Sequence, residues 1–126
     1  RYGAGTASGS WEQTGMLRTS GAATVTIRNG VLRDALFDGV LAWGGSVAIE
    51  NTILANIDRA VSAHPGSPVE VTNCTVDDNR IGLLVHGGTL DVTNTVVSNS
   101  AESGIQFDFG TLASVRYSDV WKPAGS

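Results

Sequence analysis

Val25-Thr26-Ile27-Arg28-Asn29, Val47-Ala48-Ile49-Glu50-Asn51, Val69-Glu70-Val71-Thr72-Asn73 and Leu90-Asp91-Val92-Thr93-Asn94 are one pattern written four times: apolar, any residue, apolar, polar, Asn. The asparagines stand 22, 22 and 21 residues apart. A fifth, weaker copy runs from Leu112 to Val120, with Tyr117 where the Asn should be and one extra residue. After each Asn comes a short segment whose first residue is small (Gly30, Thr52, Cys74, Thr95) and whose third is apolar (Leu32, Leu54, Val76, Val97). Side chains alternate across a strand, so first and third residues point the same way, here inward. Cys74 then belongs to an inward file and reads as a small buried thiol, since a free Cys behaves as a small hydrophobe.

A third strand follows a polar turn in every copy. Val40, Val61, Leu83 and Ile105 form one expected inward file, and Ala42, Ala63, Val85 and Phe107 another. Turns at Gly44-Gly45, Pro65-Gly66, Gly87-Gly88 and Gly110 lead into the next copy. Three short strands in about 22 residues cannot bury a core alone, but stacked copies can, each inward residue packing on its equivalents above and below. The sequence therefore predicts an all-β solenoid, a single-stranded parallel β-helix of about five coils of 21–23 residues with three short sheets. Backbone bonds run between coils at ~4.8 Å spacing. The Asn column marks a sharp bend, because Asn tolerates the left-handed backbone region, and stacked Asn side chains can bond along the axis. Asn29, Asn51, Asn73 and Asn94 are the expected structural ladder.

The pattern resembles the right-handed parallel β-helix repeat of the pectin-lyase-like superfamily over about residues 24 to 121. A leucine-rich repeat has a similar period and also uses Asn, but it needs several fixed leucines, whereas these copies are rich in Val and β-branched residues. The expected layout is a partial coil or cap over 1–23, β-helix repeats over 24–121 and a tail over 122–126. Met16 and Leu17 would end the partial coil, and Tyr117, Val120 and Trp121 would cap the other end. The chain opens on Arg1, and the expectation is a mature or excised piece of a longer protein.

Composition narrows the function classes. Hydrophobic residues make up 41% and charged residues 16%, with 16 Gly, a mix suited to short strands and tight turns rather than helix bundles. A net charge of −4 without a basic cluster argues against nucleic acid as partner. No apolar run approaches the ~20 residues of a membrane-spanning helix. One cysteine cannot form an internal disulfide framework.

The outward side of the third strand is where chemistry is expected. Its residues form two stripes, Leu41, Ser62, Leu84 and Gln106, and Trp43, His64, His86 and Asp108. Both histidines of the chain fall in one column, with an acid above and a Trp below. As a sugar site, Trp43 offers an apolar face to a pyranose ring, while His64, His86, Gln106, Asp108 and Arg80 bind hydroxyls. As a catalytic site, His86 or His64 is a general base tuned by Asp108. Two imidazoles and a carboxylate are also a conceivable metal set, although no metal is expected. Solvated surface residues are the plain alternative.

The resemblance implies that this sheet corresponds to the one lining the substrate cleft in pectin-lyase-like enzymes. It transfers no catalytic set. The grouped aspartates and Gly-His-Gly of polygalacturonase-like enzymes are missing, as is the calcium-binding acid cluster of pectate-lyase-like enzymes.

Asp58, Arg80 and Glu102 occupy equivalent turn positions and read as a salt-bridge ladder, with a cleft wall that binds a charged ligand as the alternative. Asp77-Asp78 aligns with Asp34, Asn56 and Asn99, where two adjacent carboxylates are weak grounds for a calcium site, so no cofactor is expected. Asn73 heads an Asn-x-Thr motif but reads as a ladder residue and a poor glycosylation site.

Three functions follow as expectations. The first is a carbohydrate-recognising or structural module of a secreted or cell-surface protein, contacting a polysaccharide or glycan through the Trp/His/His/Asp column. The second is a polysaccharide-active enzyme fragment (lyase, hydrolase or epimerase) with a His general base. The third is an assembly or spacer module that self-associates, or meets a flanking domain, through open β-helix ends. Enzymatic activity is left undecided and disfavoured, because the residues complete no family catalytic set.

Overall fold

The computed structural model describes residues 17 to 22, 24 to 116 and 118 to 120. Eleven strands follow in chain order: β1 (Leu17–Ser20), β2 (Thr24–Arg28), β3 (Val31–Trp43), β4 (Ser46–Glu50), β5 (Ile53–Ala63), β6 (Pro68–Thr72), β7 (Thr75–Asp77), β8 (Ile81–Thr93), β9 (Val96–Ser98), β10 (Ser103–Arg116) and β11 (Asp119–Val120). Every pairing among them is parallel. The chain is a right-handed parallel β-solenoid.

Each of the three faces repeats the register read from the sequence. On the first, Val25, Val47, Val69 and Leu90 align through β2, β4, β6 and the far half of β8. On the second, Leu32, Leu54, Val76, Val97 and Val120 align. On the third, Leu17, Val40, Val61, Leu83 and Ile105 align. Leu17, in β1, thus heads the file among the described residues. Ile49, Leu54, Leu83 and Leu90 are fully buried, each worth about 1.5–3 kcal/mol of transfer free energy.

Two differences concern the count of parts. The described strands make about four turns rather than five, with β1 and β11 at the two ends of the described stack. The three faces also join into one eleven-stranded sheet, since β3, β8 and β10 run through a bend without breaking. Residues 1–16, Tyr117 and Trp121, with the expectations of a cap placed on them, lie outside the described residues.

The corners explain the Asn column. Asn29, Asn51, Asn73 and Asn94 have φ of 53, 50, 53 and 49°. A second corner, at Asp34, Asn56, Asp78 and Asn99, has φ of 62, 54, 56 and 50°. Asn and Asp visit this region more cheaply than other residues with a Cβ. The first column is held by backbone bonds such as Asn51 N–H to Thr72 O, 3.1 Å, and Asn73 N–H to Thr93 O, 3.0 Å. Among the described residues the four Asn side chains do not bond one another, which corrects the expected side-chain ladder: they are exposed, and the requirement is the bend itself.

Inside the first corner a second column does the bonding. Thr52 and Thr95 hydroxyls and the Cys74 thiol each donate to the carbonyl two residues back, at 2.8, 3.0 and 3.2 Å. Ser118 repeats the bond to Arg116 O at 2.9 Å. Cys74 is 3% exposed, and burial raises its pKa above the ordinary thiol value.

One expected inward position differs. Phe107 pairs with Val85 but is 50% exposed among the described residues.

Candidate functional site

Trp43, His64 and His86 end the third-face strand of three successive coils, each just before a turn that needs a left-handed Gly: Gly44, Gly66 and Gly87 have φ of 96, 80 and 90°. The turns bend the chain away and leave the three rings stacked along the solenoid axis. Trp43 and His64 centroids are 4.4 Å apart, and those of His64 and His86 5.3 Å.

The fourth ring is Phe109, not a residue expected from the sequence. Its centroid is 4.7 Å from His86, in an edge-on arrangement, and it pairs with His86 in the strand register. Asp108 is therefore not stacked over His86 as the column predicted. A bulge between Phe107 and Phe109 inserts Asp108, and the following turn is one residue shorter than its counterpart below, so the later register is restored. The two changes cancel in sequence spacing, which is why counting 22 residues from His86 lands on the wrong residue. The bulge swings Asp108 beside the ring: Asp108 Oδ2 lies 3.0 Å from His86 Nδ1, and Gln106 Nε2 donates to Asp108 Oδ1 at 3.1 Å. These bonds, that from His86 first, hold the Asp108 carboxyl below the usual pKa. An ionised Asp108 accepts from Nδ1–H and leaves Nε2 as the basic ring nitrogen of His86.

His64 behaves differently. Its pKa is lowered to about 4, first by burial and then by the His86 and Arg59 charges. It is neutral at physiological pH, and its buried Nδ1 has no hydrogen-bond partner among the described residues.

The other outward stripe is covered rather than open. Leu41, Ser62 and Leu84 are 4, 0 and 6% exposed. Ser62 lies under Asp38, whose Oδ1 accepts its hydroxyl at 2.8 Å. Asp38, itself 3% exposed, pairs with Arg59 at 2.8 Å. Burial raises the Asp38 pKa, while Arg59 and Ser62 pull it back. Asp38 also sits at a register shift, this one in β3, and sequence spacing gave no sign of it.

Beyond that pair runs the expected ladder. Arg80 meets Asp58 through Nε and Nη2 at 2.6 and 3.1 Å, and Glu102 through Nη1 at 2.6 Å. Between the ring stack and this ladder lies an open groove of about 390 Å³. The six residues expected to bind ligand, Trp43, His64, Arg80, His86, Gln106 and Asp108, all line it. Leu84 and Ile81 supply its apolar floor, and Arg59 and Glu102 were not foreseen as part of it. The expected catalytic trio His64, His86 and Asp108 shares this groove, but only His86 and Asp108 are bonded.

Asp77 accepts from Ser98 and Asn99 at 2.7 and 2.8 Å, bonds that run along its own column. No group of three or more His, Cys, Asp or Glu able to hold a metal occurs among the described residues. Among the described residues no helix is long and apolar enough to cross a membrane.

A family model described as a right handed beta helix region matches residues 8–125, and the chain belongs to that family. Comparison with curated proteins and with solved structures gives no match.

Proposed function

We propose that the chain is a carbohydrate-binding β-helix module of a secreted or cell-surface protein, with a saccharide chain lying in the third-face groove. The observation that carries this reading is the pairing of walls: the stacked rings of Trp43, His64 and His86 on one side, a line of hydrogen-bonding charged groups on the other. Sugars present apolar ring faces and peripheral hydroxyls, and such a groove meets both. Its volume is in the range of small-ligand sites. Titration calorimetry against a panel of soluble oligosaccharides tests the reading, with Trp43→Ala as the paired variant. Binding that Trp43→Ala weakens supports it; no heat from any saccharide contradicts it.

A second reading is favoured by one contact. His86, with Nδ1 held by Asp108, has the arrangement of a general base. On this reading the groove cleaves or epimerises its polysaccharide, and His86→Ala abolishes turnover while binding persists. Turnover unchanged in His86→Ala would remove it.

A further inference from the structure

The charges around the groove say which saccharides it takes, given the reading that it binds saccharides at all. Two guanidinium groups, Arg59 and Arg80, line it with two carboxylates, Glu102 and Asp108, and Asp38 and Asp58 also pair with the guanidinium groups. Arg59 is paired with Asp38. Arg80 is clamped between Asp58 and Glu102, with each of its three nitrogens already bonded to a carboxylate oxygen. Neither offers an uncompensated cation. His64 is neutral, and His86 turns its Nδ1 to Asp108 Oδ2 at 3.0 Å. Asp108 itself is exposed, and its bonds to His86 and Gln106 leave its negative charge in place rather than cancel it. It stands beside the His86 ring, in the same groove that the Trp43 and His64 rings line, so a carboxylate and aromatic rings share one wall.

A uronate entering this groove brings a carboxylate against Glu102 and Asp108 and finds both guanidinium groups already paired. A protonated amine finds the reverse: a carboxylate to pair with and ring faces that attract cations. We infer that the groove prefers saccharides bearing a free amine over neutral ones, and rejects uronate-rich chains. Exposed ion pairs are weak, so the expected preference of amine-bearing over neutral oligomers of equal length is about two- to fivefold.

The test is calorimetry at low ionic strength with three matched hexasaccharides: glucosamine, glucose and galacturonate oligomers. The expected order is glucosamine tightest, glucose weaker, galacturonate undetectable. Asp108→Asn should abolish the preference, so that the variant binds the glucosamine and glucose hexasaccharides with equal affinity. Glu70→Gln, on the first face, should change neither. Galacturonate binding as well as glucose, or a glucosamine preference that survives Asp108→Asn, overturns the inference while the carbohydrate reading stands. No binding by any of the three overturns both.

Discussion

His86 and Asp108 meet at 3.0 Å although neither is the other's strand partner: Phe109 holds the register position beside His86, and a one-residue bulge delivers the carboxylate to Nδ1. The site therefore depends on a local irregularity set into an otherwise regular stack. Bulges re-aim side chains in this way, and they concentrate near functional positions.

His64 gives the pH signature of the ring stack. Its folded pKa of about 4 lies below the ordinary 6.5. Between those values the unfolded chain takes up a proton that the native ring refuses, so stability rises with pH through the window and is lost as pH falls from 6.5 toward 4. An NMR titration of the His64 ring should give a midpoint near 4, and His64→Phe should flatten the melting temperature over the window. A midpoint near 6.5 would mean the ring is solvated and the stack is open.

At the Asn corner, backbone and side chain make opposite forecasts for one pair of variants. Asn51 has φ 50° and an exposed side chain. If the bend is what matters, Asn51→Gly is close to neutral and Asn51→Ala costs about 1–2 kcal/mol in urea denaturation. Equal losses in both would point to the amide group instead.

Cys74 shares its column with Thr52 and Thr95, which donate the same bond two residues back. Cys74→Thr should therefore change stability by less than about 1.5 kcal/mol, whereas Cys74→Leu should cost about 1–3 kcal/mol by overpacking. A thiol reagent should label Cys74 only under unfolding conditions. Rapid labelling of the native protein would contradict its burial.

Gly82 and Gly66 separate close packing from backbone strain. A Cβ at Gly82 would come within 2.5 Å of Gly104 O and 2.7 Å of Val97 Cγ1. At Gly66 it would meet open space, and only the positive φ of 80° is unfavourable. Gly82→Ala should cost about 1–3 kcal/mol by overpacking, and Gly66→Ala about 1–2 kcal/mol from the left-handed backbone alone. If Gly82→Ala melts like the native protein, the coil spacing at that point is looser than described.

The repeat was legible in the sequence because stacking forces equivalent residues into the same environment. Val47, Val69 and Leu90 must all be apolar, and a left-handed corner admits few residues besides Asn. The same logic found the Asp58–Arg80–Glu102 ladder, whose members lie in turns without insertions. It failed where the register shifts. Asp108 was placed over His86, and Phe109 was missed, because an inserted residue and a shortened turn cancel in the count. Asp38, buried against Arg59 and Ser62, escaped for a similar reason. Phe107 was read as core because the inward file predicts direction but not whether another coil covers it. Spacing reports periodicity, and the site is built where periodicity is broken.

The carbohydrate groove is tested most directly by NMR mapping of a bound saccharide on the isotope-labelled chain. Addition of glucosamine hexasaccharide should shift the Trp43 indole, the His64 and His86 rings and the amides of Leu84, Gln106 and Asp108, while Thr26, Ala48 and Glu70 on the first face stay fixed. Shifts confined to the first face, or none at saturating saccharide, would contradict the account.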